Sequence, residues 1–195
     1  MKLGELKTYA IKLIDEYSNN ANITDDEDIR LKLNDLFNIA QIEMATSIRK
    51  IEKVFEFSLP SDEYTAQEDE QYISIPLPED FFDINKIRFY PKDRRLSLDY
   101  YIQAKNLKVN KNGVGKYELE YYAYPTVITE ETTDEHELEV DLDAQMCLAY
   151  YVAGGILQSD VSADYTSFEA KYNNKLELLK QKDRNTITIN SLYDI

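Results

Sequence analysis

Residues Thr24 to Ile51 read TDDEDIRLKLNDLFNIAQIEMATSIRKI, and they predict one long amphipathic helix. The apolar residues of this stretch recur at steps of three and four, which places them on one side of a 3.6-residue helix. They are Leu33, Leu36, Phe37, Ala40, Met44, Ile48 and Ile51. Thr24 and Glu27 form a capping-box pattern, and the acidic run 25–28 lies at the positive end of the helix dipole. Such a helix would be about 40 Å long, so its apolar side needs other helices to cover it.

Three further helices are predicted from the same spacing, over about residues 3–18, 142–157 and 163–181. We therefore expect a helical bundle in which an N-terminal helix pair packs against a C-terminal helix pair. Gly154 and Gly155 interrupt the third helix. They favour either a small-residue face that lets another helix approach closely, or a hinge.

The middle of the chain changes to a period of two, which is typical of strands with one buried face. The predicted strands cover about residues 55–59, 72–77, 84–89, 96–100, 105–109 and 116–124. Residues 78–82 predict a short helical turn, and Asn110–Gly115 predicts a β-hairpin because Asn and Gly tolerate positive φ.

The predicted fold class is therefore α+β, a helical bundle built from N- and C-terminal helix pairs with an inserted antiparallel β module. The bundle takes residues 1–52 and 138–184, and the β module takes 53–126. Residues 185–195 form a C-terminal tail. This tail alternates weakly in polarity and has no local partner strand, so we expect it to be frayed or to order on another protein. Its candidate partner-binding residues are Thr186, Ile187, Ile189, Leu192 and Tyr193.

Composition excludes several classes of function. The chain of 195 residues has 22 Lys and Arg against 37 Asp and Glu, for a net charge of −15, which argues against a basic surface that grips nucleic acid. No stretch reaches the roughly 18 apolar residues of a membrane span, and the N-terminus lacks the apolar core of a signal peptide. A single cysteine excludes an intrachain disulfide framework. The 16 tyrosines suit interfaces, although an AT-rich coding sequence would give the same bias.

No residue pattern predicts a catalytic, cofactor or metal site. His136 is the only histidine and lies in an acidic connector, where we interpret it as a solvated loop residue. Cys147 lies inside a predicted helix, where a small buried hydrophobe is the simplest interpretation. The acidic runs 68–70, 130–131 and 135–137 lack the spacing of a calcium loop and are typical of solvated loops. The basic cluster Lys92, Arg94 and Arg95 predicts a hairpin tip, with contact to a phosphate or an acidic partner as the alternative.

Four segments in order resemble one protein family. They are IPLPEDFFDINKIRFY (Ile75–Tyr90), YELEYYAYPTVIT (Tyr117–Thr129), LDAQMCLAYYVAGGILQSD (Leu142–Asp160) and FEAKYNNKLELL (Phe168–Leu179). Together with the long helix that precedes them, they resemble the head–tail adaptor proteins of tailed bacteriophages, the group that includes tail tubular protein A. The resemblance covers roughly residues 30 to 180. The acidic loop from Ser61 to Gln71 is longer than the family pattern and departs from it.

This resemblance implies a structural virion protein, assembled in the host cytoplasm, that forms a ring between the portal and the tail. The partners it implies are the portal protein, tail or further connector proteins, and other copies of the chain, commonly twelve in the ring. DNA would only pass through the channel, because an acidic wall repels it. No cofactor, metal or membrane is implied.

Two other classes of function fit the residues. The main alternative is a small soluble partner-binding or regulatory protein without a virion role. A carboxylate-based hydrolase that uses a pair such as Glu79 and Asp80 is the second alternative.

Overall fold

The computed structural model describes residues 1–17, 27–59, 71–92, 98–158 and 165–184. Within these residues the chain forms four helices and six strands. The helices are α1 (Leu3–Tyr17), α2 (Glu27–Ser47), α3 (Leu142–Leu157) and α4 (Thr166–Arg184). The strands are β1 (Ile51–Leu59), β2 (Tyr72–Pro76), β3 (Phe81–Pro91), β4 (Tyr100–Gln103), β5 (Asn106–Asn110) and β6 (Gly115–Ala123). The chain divides into a helical unit, residues 1–50 with 125–195, and a β unit, residues 51–124.

The predicted bundle of two helix pairs is wrong. In the described part of the helical unit, α1, α2 and α4 each pack along α3, whereas α1 and α2 make no extended contact with each other. The protein is α+β, but the β part dominates the middle of the chain and the helices surround one central helix. The physical reason is the composition of α3, of whose 16 residues ten are buried. A helix that is apolar on most sides takes the centre of a cluster.

The long helix is shorter than predicted. It ends at Ser47, Ile48 lies in a turn, and Ile51 begins β1. The predicted capping residue Thr24 lies outside the described residues. Arg49 does not extend the helix; its guanidinium lies 3.8 Å from a carboxylate oxygen of Asp141 and 3.5 Å from one of Asp143.

The glycine pair of α3 lets two helices approach. A β-carbon on Gly154 would lie 3.3 Å from Cβ of Phe168 on α4, and one on Gly155 would lie 3.1 Å from Cδ2 of Leu36 on α2. Both distances are tighter than ordinary contacts between side chains. The interpretation of these glycines as a small-residue packing face is confirmed.

A stripe of amides on α2 holds the connector that follows β6. Asn34 and Gln41 donate from their side-chain nitrogens to the carbonyl oxygens of Thr129 and Thr126, each at 2.8 Å. Between them, Asn38 accepts the backbone N–H of Ile128 at 2.9 Å. Asn34 and Gln41 are buried, so these bonds satisfy side-chain nitrogens that would be costly to bury alone, whereas Oδ1 of Asn34 has no hydrogen-bond partner among the described residues.

The β unit contains two three-stranded antiparallel sheets, β1-β6-β3 and β2-β5-β4, and not one module. The buried residues of both sheets form one core cluster. They are Phe57, Leu59, Ile73, Ile75, Leu77, Leu107, Val109, Tyr117, Leu119, Tyr121 and Ala123. Residues 78–82 are not helical, because a turn at 79–80 leads directly into β3.

The predicted hairpin at Asn110–Gly115 is also wrong. This segment joins β5 to β6, which lie in different sheets. The true two-residue hairpin joins β4 to β5 through Ala104 and Lys105, whose φ angles are 48° and 62°, and no described glycine has positive φ. Two consecutive residues with positive φ define a turn whose twist matches the flanking strands.

Candidate interaction surfaces

The structure places the single cysteine and the single histidine in different environments. Cys147 is buried on α3, where burial raises the pKa of its thiol to about 11, and its Sγ lies 3.8 Å from the carbonyl oxygen of Tyr172. The interpretation of Cys147 as a buried hydrophobe is confirmed. His136 is half-buried and not fully solvated, and its Nε2 is screened from solvent. No cluster of three metal-ligating side chains occurs among the described residues.

The acidic connector closes the start of α1. The backbone N–H groups of Leu3 and Gly4 donate to the carbonyl oxygens of His136 at 2.7 Å and Asp134 at 2.9 Å. Lys7 forms an ion pair with Asp134 at 2.7 Å. Helix N-termini leave N–H groups without partners inside the helix, and the connector carbonyls supply those partners. The backbone carbonyls of Asp134 and His136 thus cap α1, while the side chains of Asp134, Glu135 and Glu137 are exposed.

Asp80 joins three parts of the β unit. One carboxylate oxygen accepts from Nζ of Lys53 on β1 at 2.9 Å, and the other accepts the Tyr121 hydroxyl on β6 at 3.0 Å. Its backbone carbonyl accepts the N–H of Tyr124 at 2.7 Å. Partial burial acts to raise the pKa of Asp80, but the hydrogen bonds from Lys53 and Tyr121 and the lysine charge outweigh it, so the pKa is lowered. These bonds account for Asp80 as a structural carboxylate.

We expect Asp80→Asn to lower the free energy of unfolding of the β unit by about 1–2 kcal/mol, since the group is partly exposed. Because the folded-state pKa lies below the ordinary 3.8, the stabilisation from the Asp80 carboxylate is present above pH 4 and is lost as the pH falls through that lowered pKa. Urea denaturation at pH 7 and pH 3 measures this. The difference between the wild type and Asp80→Asn should shrink at pH 3, whereas a difference that is equal at both pH values would contradict the assignment.

The outer face of the sheet β1-β6-β3 carries a ladder of charges. Arg88 on β3 pairs with Glu120 at 2.6 Å and with Glu118 at 3.7 Å, both on β6. Lys116 pairs with Glu56 on β1 at 3.0 Å. A hydrogen bond from the Tyr90 hydroxyl lowers the pKa of Glu118. Exposed pairs of this kind contribute little stability, so the ladder is a polar surface that faces solvent or a polar partner.

The outer strand β4 of the second sheet, β2-β5-β4, exposes apolar residues. All four residues of β4 are exposed, and Tyr100, Tyr101 and Ile102 are exposed by 37%, 44% and 40%. We call these residues, with Gln103, the β4 edge. Edge strands are usually protected by charge, Pro or a covering element, and β4 carries neither charge nor Pro. The outer strand of this sheet therefore leaves three consecutive apolar residues exposed.

The helical unit offers a cleft and scattered apolar residues. A cavity of about 360 Å³ lies over α3 between α2 and α4, with a glycine floor at Gly154 and Gly155 and walls that include Tyr150, Tyr151 and Tyr172. Ile39, Val127, Leu142 and Leu178 are exposed by more than half. The described helices include none that is long and apolar enough to cross a bilayer.

The predicted partner-binding residues of the tail, Thr186, Ile187, Ile189, Leu192 and Tyr193, all lie outside the described residues, as do Arg94 and Arg95. The β4 edge was not predicted from the sequence, because the turn between β4 and β5 contains neither Gly nor Asn. The sequence YYIQ of β4 does indicate an apolar strand, because it contains no charged residue. The amide stripe of α2 was also missed, although its spacing of i, i+4 and i+7 inside an apolar helix marks one face.

The described residues thus form two compact units, a helical unit and a β unit, and each leaves several large apolar side chains exposed. The chain belongs to the SU10 adaptor protein family, whose family model matches residues 1–191. This is a family of bacteriophage head–tail adaptors, which are structural proteins. Membership implies a place in the virion and contacts with other virion proteins such as portal and tail. No curated protein gave a significant match.

Proposed function

We propose that this protein forms a ring between the portal and the tail of a tailed phage, and so completes the head–tail connector and its DNA channel. The observation that carries the proposal is the match of residues 1–191 to the adaptor family. Within that family, the four sequence segments favour kinship with tail tubular protein A. A closed ring needs two different surfaces on each subunit, because each copy meets its neighbours head to tail.

The net charge supports a role in which the protein surrounds DNA without binding it. A protein with a charge of −15 that lines a channel repels the duplex and prevents the tight association that a basic wall would permit. We also propose that the helical and β units are separate domains, and that twelve copies close the ring. The tail residues Thr186, Ile187, Ile189, Leu192 and Tyr193 then order on the portal or on a neighbouring copy.

Deletion of Thr186–Ile195 should abolish ring formation on the portal, because it removes the proposed docking segment. The described helix α4 ends at Arg184, so circular dichroism of the monomer should be unchanged. Co-sedimentation with purified portal, followed by electron microscopy, measures the loss. A chain that carries the same ten residues in scrambled order is the matched control and should fail equally. Docking by the deletion variant at the wild-type level would reject the role of the tail.

A regulatory protein without a virion role is the competing function. Light scattering in the presence of the portal separates the two, since an adaptor gives a large assembly and a regulator stays a small monomer or dimer. Wild-type protein that never associates with the portal would reject the ring.

A further inference from the structure

We propose that the β4 edge binds the C-terminal segment Thr186–Ile189 of a second copy of this chain as an added strand. The proposal rests on the proposed ring and names the surface that the tail would take. It is carried by three independent features: the backbone groups that β4 directs away from β5, the side chains on each face of β4, and the residue order of the tail.

The first feature is the direction of the peptide groups of β4. The N–H of Asn110 on β5 donates to the carbonyl of Asp99 at 3.0 Å, and the ladder continues to the Gln103–Asn106 pair beside the turn. In an antiparallel pair, hydrogen-bonded positions alternate with non-bonded ones. Residues 99, 101 and 103 therefore direct their N–H and C=O groups toward β5. Tyr100 and Ile102 direct their N–H and C=O groups away from β5. No strand among the described residues pairs with that side.

The second feature is the division of side chains between the two faces. Ile102 lies opposite Leu107 and Tyr100 opposite Val109, and both partners are buried, so this face continues the core of the β unit out to the edge. Tyr101 lies opposite Lys108 on the other, polar face. An added strand with the same division would extend both faces.

The third feature is the tail itself, which reads TITI from Thr186 to Ile189. In an extended strand, Ile187 and Ile189 fall on one face and the two threonines on the other. Placed beside β4, the isoleucines would continue the rows that end at Ile102 and Tyr100, and the threonines would lie beside Tyr101. β-Branched residues favour such pairing, and main-chain bonds supply its affinity.

A second copy is the occupant because each subunit carries one tail and one β4 edge. A head-to-tail contact of this kind uses every tail and every edge once when the ring closes.

Disulfide trapping tests the contact directly. Chains with Tyr101→Cys are mixed with chains with Thr188→Cys, both free in solution and during assembly on purified portal. The native Cys147 is buried and resists reaction. We expect a mixed dimer that neither variant forms alone. Its absence in both conditions, while rings still form on the portal, would overturn the proposal and leave the proposed function standing. A third chain carries both Tyr101→Cys and Thr188→Cys. A disulfide that forms only within this chain, and never between two chains, would also overturn the proposal.

Matched variants identify the added strand. Ile102→Pro in the Tyr101→Cys chain removes one outward N–H and should lower the yield of mixed dimer about tenfold, whereas Ile102→Val keeps that N–H and should not. Ile187→Asp in the tail should also lower the yield about tenfold, whereas Thr186→Asp adds the same charge to the polar face and should not. Circular dichroism of both tail variants controls for folding, and each spectrum should match that of the wild type. Equal loss from both members of a pair would reject strand addition.

Discussion

Replacement of Tyr117 by alanine is expected to lower the free energy of unfolding of the β unit by about 3–5 kcal/mol. The Tyr117 ring is fully buried between two aromatic rings, stacked on Phe57 at 4.8 Å and on Phe89 at 4.6 Å between centroids. It therefore joins β1, β6 and β3 from the middle strand. Removing it leaves a large cavity and separates two stacked pairs. Thermal denaturation that follows tyrosine absorbance measures the change.

The hydroxyl of Tyr117 allows the ring and the hydrogen bond to be separated. It donates to the carbonyl oxygen of Gly113 at 2.7 Å in a buried environment. Tyr117→Phe keeps the ring and should cost only about 1–2 kcal/mol. If alanine and phenylalanine have equal effects, the hydrogen bond and not the stacking is the main contribution, and the aromatic argument fails.

Alkaline pH gives a second test of this residue. Burial raises the pKa of Tyr117 from the ordinary 10.0 to about 12. The folded state therefore keeps its proton at a pH where the unfolded state loses it. Stability associated with this group is fully present below pH 10 and is lost as the pH rises from 10 to 12. Tyr117→Phe should be less sensitive than the wild type over that range.

Periodicity predicted most elements but not how they associate. The apolar steps of three and four at Leu33, Phe37 and Met44 correctly predicted α2, because a helix must bury one side whatever its partner. They do not say which helix covers that side. The arrangement around α3 depends on small residues such as Ala149 and Gly154, which permit close approach to several neighbours at once. The helical period identifies which positions are apolar, but it does not distinguish small apolar residues from large ones.

Strand pairing failed for a related reason. The alternation of Leu107 and Val109 predicts a strand, but the same alternation fits either neighbouring sheet. The Asn and Gly residues of 110–115 favoured a hairpin there, whereas the chain turns at Ala104 and Lys105, for which local preference is weak. Positive φ at those two residues is stabilised by pairing of β4 with β5 and not by their own propensity. The exposure of β4 could not be predicted from its sequence either, because it follows from the position of β4 at the edge of its sheet.

The order and spacing of the sequence segments predicted the adaptor family, and the structure explains part of that signal. The segment around Pro78 and Asp80 carries the resemblance to adaptors, and Asp80 bonds to Lys53 and Tyr121. Its position therefore records a structural requirement of the β unit. Residues that contact other virion proteins need not appear in such a motif, since the shape and charge of the partner determine them and the packing of this fold does not.

Gly115→Ala is expected to destabilise the β unit by about 3 kcal/mol, at the upper end of overpacking effects. A β-carbon at Gly115 would lie 2.3 Å from the carbonyl oxygen of Tyr90 and 3.0 Å from Cα of Pro91. Both atoms belong to the backbone of β3, so relief requires the two strands to separate. The glycine is needed for close approach and not for positive φ. We expect the melting temperature of the β unit to fall on the order of 10 °C or more.

Gly155→Ala supplies the matched control, with the same added methyl group in the helical unit. Its β-carbon would meet only the end of the Leu36 side chain, at 3.1 and 3.3 Å, and that side chain can move. Alanine also favours a helix over glycine by about 1 kcal/mol, which offsets the crowding. We therefore expect a change within about 1 kcal/mol of zero. A Gly115→Ala variant as stable as Gly155→Ala would show that β3 and β6 do not pair closely at Tyr90.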